Sequence, residues 1–382
     1  MAKDINGKDL PKGITQRPDG RYMGRFTHEG ERYTFYSFKL KELTKEMQNK
    51  QYEMEHGLYS KESNLTVDSW FNTWMNEYKT NSVKYGTLVI YEKTYSLYIK
   101  KPFGKKKLTD IRPEYIQKLL NNMNIEYSRS TIKLVVIVLG GMYKQAFKNG
   151  IIQRNPVPLT TMPRDTQKKE FRVLTLQEQK LFIEIAAVSP YYDLYQVGLN
   201  TGMRVGELRA LEWRDIDFKN KVIRVTGTLK YQKGEGYYKD LPKTKTSVRD
   251  IPMLDAVHAL LKNRKRQQSE QRLRLGDKWE PYPKLDKLVF TNEFGHPVSH
   301  DGLNQDIRKV EHAIHEAGIE FNHITPHTLR HTFATRGLEN GIPPKVMQEL
   351  LGHTSITMTL DIYSHVLPDT KANEIQKLAN LF

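Results

Sequence analysis

Three prolines fall within eight residues of the stretch QRNPVPLTTMPRDTQKKEF (153–171), and this constrains the fold more than any other feature. Proline lacks a backbone N–H and biases the residue before it away from helix, so neither helix nor ladder runs through such a segment. The chain is therefore read as bodies on either side of it. Residues before it are mostly helical; those after it mix helix with strand. A chain of 382 residues suggests two or three domains and can bury real cores without covalent staples. It has no cysteine, which excludes disulfides and cysteine-built zinc sites. No long apolar run exists, and the start MAKDINGKDLPKG has no apolar signal core. The expectation is a soluble, cytoplasmic protein with no membrane span.

Charge points to a partner. The formal net charge is +16, an argument about association rather than fold. Residues 61–165 carry 17 basic and 8 acidic side chains, against 11 and 9 in residues 1–60 and 32 and 27 in residues 166–382. The centre of the basic segment is KKPFGKKK (100–107), with Lys100, Lys101, Lys105, Lys106 and Lys107. One such run alone reads as a solvated loop. An excess spread over a whole segment with many tyrosines favours a polyanion partner.

Local patterns divide the chain further. RYMGRFTHEGERYTFYSF (21–38) alternates like two strands about the turn HEGE, with RPDG (17–20) as a second turn. From Lys39 to His56 the apolar residues Leu40, Leu43, Met47 and Met54 take helical spacing, with Gly57 as a stop. A three-stranded sheet carrying one helix is expected. Such a piece can set a sheet in a major groove around Arg21, Arg25 and Tyr33, and is equally consistent with a packing appendage. In TVDSWFNTWMNEY (66–78), Thr66 or Asp68 caps a helix whose Trp70, Phe71, Trp74 and Tyr78 read as core. Further helices are expected near 86–100, 113–123 and 128–149. After the proline-rich break come a β-meander containing KVIRVTGTLKYQ and VRDIPM, and a long basic helix, LDAVHALLKNRKRQQSEQRLRL. The fold class is α+β multidomain: 1–60, a sheet-plus-helix domain; 61–155, all-α; 156–172, linker; 173–368, a mixed α/β domain; 369–382, a tail helix.

Five short stretches carry chemistry. NTGMRVGELRALEW (200–213) reads as a turn and a helix, with Val205, Leu208 and Leu211 buried and Arg204 and Glu207 on one face. Alone, that pair reads as an ordinary ion pair. LPKTKTSVRDIP (241–252) sets Lys243 and Lys245 in a turn between strands. HTLRHTFATRGLENG (327–341) is a helix ended by Gly341, with His327 and Arg330 on one face. LLGHTSITMTLDIYSHV (350–366) places His353 after a helix-ending Gly352, then Tyr363 ten residues on. His327 and His331 have zinc-binding spacing, but the metalloprotease pattern needs a glutamate where Thr328 stands, and Arg330 would repel a cation. A phosphate fits better: two arginines on different helices can fork onto it and stabilise the charge of a five-coordinate phosphorus. Tyr363 is the candidate nucleophile, and its ordinary pKa of about 10 demands a base or a strong anion site.

In this order, Arg204 in TGMRVGEL, Lys245 in its turn, HTLRH, LGH and Tyr363 resemble the tyrosine recombinases, or lambda-integrase family. The resemblance covers residues 66–382, and the first 60 residues look like the arm-binding domain of phage and conjugative-transposon integrases. It implies a helical core-binding domain and a catalytic domain that clamp duplex DNA. By resemblance, Tyr363 attacks the scissile phosphate to form a 3′-phosphotyrosyl link, and Arg204 and Arg330 hold the non-bridging oxygens. His327 handles the tyrosine proton, Lys245 protonates the leaving 5′-hydroxyl in preference to Lys243, and His353 donates to the phosphate. Glu207 orients its neighbours, and His331 is a hydrogen-bonded helix residue supporting the site. Neither ATP, a metal nor another cofactor is implied, because the covalent link keeps the phosphodiester energy. The implied function is integration and excision of a mobile element at core and arm attachment sites. A homotetramer on DNA is implied, with an excisionase or host DNA-bending protein as accessory. The tail, LPDTKANEIQKLANLF (367–382), would dock on a neighbouring protomer or fold back on its own domain. A chromosome or plasmid resolvase of the Xer type, a type IB topoisomerase and a non-catalytic DNA-binding regulator are the competing readings.

Overall fold

The computed structural model describes residues 2–28, 30–55, 65–165, 171–241 and 248–362. The chain forms two compact units, Met1–Lys168 and Lys169–Phe382.

The first unit begins with β1 (Ile14–Gln16), β2 (Tyr22–His28) and β3 (Glu31–Ser37), an antiparallel sheet in that order. Its turn RPDG is closed by Gly20, at φ 84°, whose N donates to Arg17 O at 2.9 Å. α1 (Leu40–Glu55) covers one face and buries Leu43 and Met47 against Ile14. Gly24 permits this approach, since a Cβ there would lie 2.0 Å from Met47 Sδ. The expected sheet and helix are therefore present, but the expected surface of Arg21, Arg25 and Tyr33 is not. Arg25 stands opposite Thr34 in the ladder, so Tyr33 takes the other face, opposite Phe26, with their rings stacked at 5.4 Å beside the helix. Strand side chains alternate faces. The open face carries Met23, Arg25, Arg32, Thr34 and Tyr36, while Arg21 is paired to Asp19 at 2.7 Å.

Residues 65–165 form a helical bundle. α2 (Val67–Thr73) starts at Thr66, whose hydroxyl accepts from Ser69 N, and continues through a π-helical turn, Trp74–Lys79. α3 (Tyr85–Thr94) passes through another such turn, Tyr95–Ile99, into α4 (Lys100–Phe103). α5 (Pro113–Glu126) and α6 (Arg129–Lys148) complete it. Of the aromatics read as core, three are core and Tyr78 is half-buried against them. Trp70, Phe71 and Trp74 are buried, Trp70 Nε1 donates to Met142 O at 2.9 Å, and Tyr95 stacks on Phe71 at 3.7 Å. The first half of the proline-rich segment lies on this bundle: Val157 and Met162 join its core, and Thr161 N donates to Gln117 Oε1 at 2.8 Å.

The second unit runs α7 (Leu176–Ile185), α8 (Tyr192–Thr201), α9 (Val205–Arg209), β4 (Ile216–Asp217), β5 (Val222–Val225), β6 (Thr228–Gln232), β7 (Gly236–Asp240), β8 (Arg249–Pro252), α10 (Asp255–Leu275), α11 (His300–Glu316), α12 (Pro326–Glu339) and α13 (Pro344–Leu351). The strands are not one meander. β5 pairs with β4 but skips β6 for β8, giving a sheet β4-β5-β8, while β6 and β7 form a separate hairpin. The reason is packing: Ile223, Val225 and Ile251 join the main core, whereas Leu229 of β6 belongs to a second cluster with Ala210, Leu285 and Leu288. α12 lies against α8, where Gly198 leaves room for Leu329, at 3.5 Å from a Cβ built there.

Candidate active site

The last carbonyls of a helix have no partner within it and carry partial negative charge, so they attract cations. α13 ends at Gly352, left-handed with φ 65°. Three consecutive carbonyls there each accept from an arginine of a different element. Leu350 O accepts from Arg249 Nε at 2.6 Å, Leu351 O from Arg330 Nη2 at 2.8 Å and Gly352 O from Arg204 Nη2 at 2.9 Å. Arg249 opens β8, Arg330 lies in the second turn of α12, and Arg204 is the N-cap of α9. Arg330 Nη1 also donates to Gly202 O at 2.8 Å, at the end of α8. One helix end thus fixes groups that lie far apart in sequence.

Glu207 sits between two of these arginines. Its Oε1 accepts from Arg204 Nη1 at 2.9 Å and Arg249 Nη1 at 3.1 Å; its Oε2 accepts from Arg204 N at 2.8 Å and Arg249 Nη2 at 2.8 Å. Burial alone would raise the carboxyl pKa, but the Arg249 fork and Arg204 outweigh it and hold the group below the usual carboxylate range. Arg330 is 5% exposed. Burial, then the Arg204 and Arg249 charges, pushes its pKa down to about 9, which leaves it protonated at neutral pH. The Arg204 side chain, at 34% exposed, keeps a face toward solvent.

Three histidines surround this cationic centre. His327 is exposed in the first turn of α12; crowding of its ring, then Arg330 and Arg204, lower its pKa. His353 is buried, with Nδ1 2.9 Å from Thr359 Oγ1. Burial, then Arg330 and Arg204, push it down to about 4. His331 differs from expectation. Its ring packs on Phe171 at 4.9 Å between centroids, and among the described residues its buried Nδ1 has no hydrogen-bond partner. One turn beyond His327 on the same side of α12, the ring meets Phe171 ahead of α7, and that packing stands where a hydrogen bond was expected. Burial, then His327 and Arg330, push its pKa down to about 4.

These shifts have a consequence for stability. The unfolded chain binds protons at these histidines near 6.5, the folded chain near 4 for His331 and His353. Stability is therefore full above pH 6.5 and lost as pH falls toward 4, because the unfolded state takes up more protons. Melting temperatures taken from pH 7.5 to 4.5 are expected to fall across this window, with a shallower fall in His353→Gln. A flat profile between pH 7 and 5 would contradict the burial of neutral imidazoles.

The structure brings together Arg204, Glu207, Arg330, His327 and His353 as the sequence expected. Tyr363, Lys243, Lys245 and the tail helix of 369–382 lie outside the described residues. Lys100, Lys101, Lys105, Lys106 and Lys107 are all exposed in the first unit, with Lys106 Nζ 5.1 Å from the Tyr115 ring centroid. Sequence reasoning missed Arg249. Its signal was an arginine at an inward position of VRDIP, two residues before the buried Ile251. The carbonyls that hold the arginines carried no signal, since every residue has one. Among the described residues no group of three His, Asp or Glu side chains is placed to hold a metal ion, and no helix is long and apolar enough to cross a membrane.

Similarity to known proteins follows the same outline. Residues 172–369 match the phage integrase family, and residues 66–124 match the phage integrase N-terminal SAM-like domain. The chain is 30% identical to a tyrosine recombinase XerC-like protein of Caldanaerobacter subterraneus subsp. tengcongensis, over 92% of each chain. It is 27% identical to the transposase from transposon Tn916 of Enterococcus faecalis, over 98% of this chain and 96% of that one. A solved Tn1549 transposon integrase in complex with transposon right end DNA superposes with a TM-score of 0.69 at 26% identity, covering 82% of this chain and 100% of that one. A lambda integrase tetramer bound to a Holliday junction shares the fold at 22% identity, with a TM-score of 0.54 over 92% of this chain and 98% of that one.

Proposed function

The chain belongs to the phage integrase family and is a tyrosine recombinase of the transposon and phage integrase type; from that premise we propose that it integrates and excises a mobile element through a covalent DNA–tyrosine intermediate. The observation that carries this reading is the pair Arg204 and Arg330, delivered from α9 and α12 to one helix end, with His327 and His353 near enough to feel both charges. Two guanidiniums so held can neutralise the non-bridging oxygens of one phosphate without reorganising. Tyr363 Oη attacks the phosphorus, the Oη–P bond forms as the P–O5′ bond breaks, and the 5′-hydroxyl leaves. Lys245 supplies the proton to O5′. His327 takes the tyrosine proton and returns it on religation. His353, with Nδ1 engaged by Thr359, offers Nε2 to a phosphate oxygen. The reverse attack by a 5′-hydroxyl from a second duplex exchanges strands and passes through a Holliday junction.

The active assembly in this reading is a homotetramer on core sites, held there by the helical unit and its exposed lysines, with excisionase or a host DNA-bending protein as accessory and the cytoplasm as its location. Residues 1–60 bind a second, arm-type sequence through the open sheet face of Arg25, Arg32, Thr34 and Tyr36. Tn1549 integrase bound to transposon DNA supports DNA as the partner. The test is incubation of the protein with two duplexes carrying the element's ends. Recombinant products and protein–DNA covalent complexes are expected. Relaxation of a plasmid lacking such sites, without recombinants, would instead indicate a topoisomerase.

The leaving-group role gives a separate prediction. Lys245→Ala is expected to block cleavage of ordinary DNA yet cleave DNA with a bridging 5′-sulfur. A thiol has a pKa near ~8.5 and leaves without a proton donor. Should sulfur rescue Lys243→Ala but not Lys245→Ala, the proton donor is Lys243.

A further inference from the structure

We propose that Arg249 is a positioning residue for the reaction: it holds Glu207 and the end of α13 so that Arg204 presents its outer N–H groups to the scissile phosphate. This inference rests on the recombinase reading and deepens it. Arg249 is 9% exposed and spends its guanidinium on Glu207 and the Leu350 carbonyl. It does not reach substrate; it acts through Arg204.

The geometry argues for that route. A carboxylate with both oxygens free chelates a guanidinium through two parallel bonds. Glu207 could take Arg204 in that way and draw it inward. It does not, because Arg249 already forks onto both oxygens, at 3.1 and 2.8 Å. Arg204 is left with one side-chain bond to Glu207, through Nη1, and gives Nη2 to Gly352 O. Among the described residues the remaining donors of its planar group are not taken up. Arg249 also pins Leu350, two residues before the carbonyl that anchors Arg204 and one before the carbonyl that anchors Arg330. A shift of that helix end moves both phosphate ligands together. Charge points the same way. Three guanidiniums against one carboxylate leave two positive charges for the phosphate; without Arg249 there is one, and Glu207 competes for Arg204.

The experiment uses full-length wild type, Arg249→Met, Arg249→Lys and Tyr363→Phe on a nicked duplex whose scissile group is either a phosphate or a methylphosphonate. The methylphosphonate lacks one charged oxygen, so it demands less of the paired arginines. Arg249→Met is expected to cleave the phosphate about 10–100-fold more slowly in single turnover, the penalty of a misplaced reacting group. DNA affinity stays near wild type, and the loss is smaller on the methylphosphonate. Arg249→Lys keeps a charge beside Glu207 without the fork, so it recovers part of the rate; being better paired, it carries the same comparison if the methionine variant does not fold. A wild-type rate in these variants, or an equal loss on both substrates in step with lost folded protein, overturns the proposal. If Tyr363→Phe cleaves as well as wild type, the recombinase reading itself fails. If cleavage needs Tyr363 and is indifferent to Arg249, only the positioning role fails.

Discussion

Tyr363→Phe is expected to abolish covalent attachment to DNA while leaving DNA binding nearly unchanged. The substitution removes one oxygen atom and no charge. Phosphate contacts from lysines and arginines carry most of the affinity for duplex DNA, and none is touched. In the proposed mechanism the attacking oxygen, by contrast, has no substitute, since the arginines and histidines gathered at the site would receive an attacking oxygen rather than supply one. The measurement pairs a gel assay for covalent complex on a nicked suicide substrate with a binding titration at the same salt. Covalent complex formed by the phenylalanine variant would remove Tyr363 from the mechanism and direct attention to another hydroxyl.

Arg330→Ala is expected to cost both chemistry and stability. Its two Nη atoms hold Gly202 O and Leu351 O, each at 2.8 Å, in a buried position. Truncation leaves two buried carbonyls unpaired, at about 1–3 kcal/mol each. In the proposed mechanism it also removes a charged ligand from the phosphate, and losing one preorganised donor at a developing anion slows reaction by about 10²–10³-fold. Single-turnover cleavage is therefore expected to fall at least that far, with a lower melting temperature and only weakly reduced DNA affinity. Arg330→Lys is expected to restore stability more than rate, because an ammonium reaches one carbonyl but cannot fork. Cleavage by Arg330→Ala at close to the wild-type rate would exclude Arg330 from the phosphate site.

Much of this protein was legible along the chain because the signals are local. Thr66 caps α2, three of the aromatics at helical spacing are core, and Gly352 stops α13, as their spacing implied. Arg204, Glu207, His327, Arg330 and His353, which the structure gathers at the end of α13, were legible as short signatures in order. What failed were readings that needed a ladder or a neighbour. Arg25 and Tyr33 look like partners in sequence but lie on opposite faces, because the β2–β3 register sets residue 33 against Phe26. The strands after Val222 look like a meander, but β5 found β8 because the inward residues of those two strands share the main core. His331 was expected to bond and instead packs on Phe171.

The sequence by itself determined the fold class, the family and the identity of the charged residues, since each depends on spacing or on residues a few positions apart. Only the tertiary structure decided how those charges are held. Arg204, Arg249 and Arg330 are spread over 127 positions, yet they meet at three successive carbonyls of one helix end. A backbone carbonyl is chemically the same at every residue, and what makes these three special is that their helix stops there with its acceptors unpaired. That property belongs to position in the fold and is written in no single side chain.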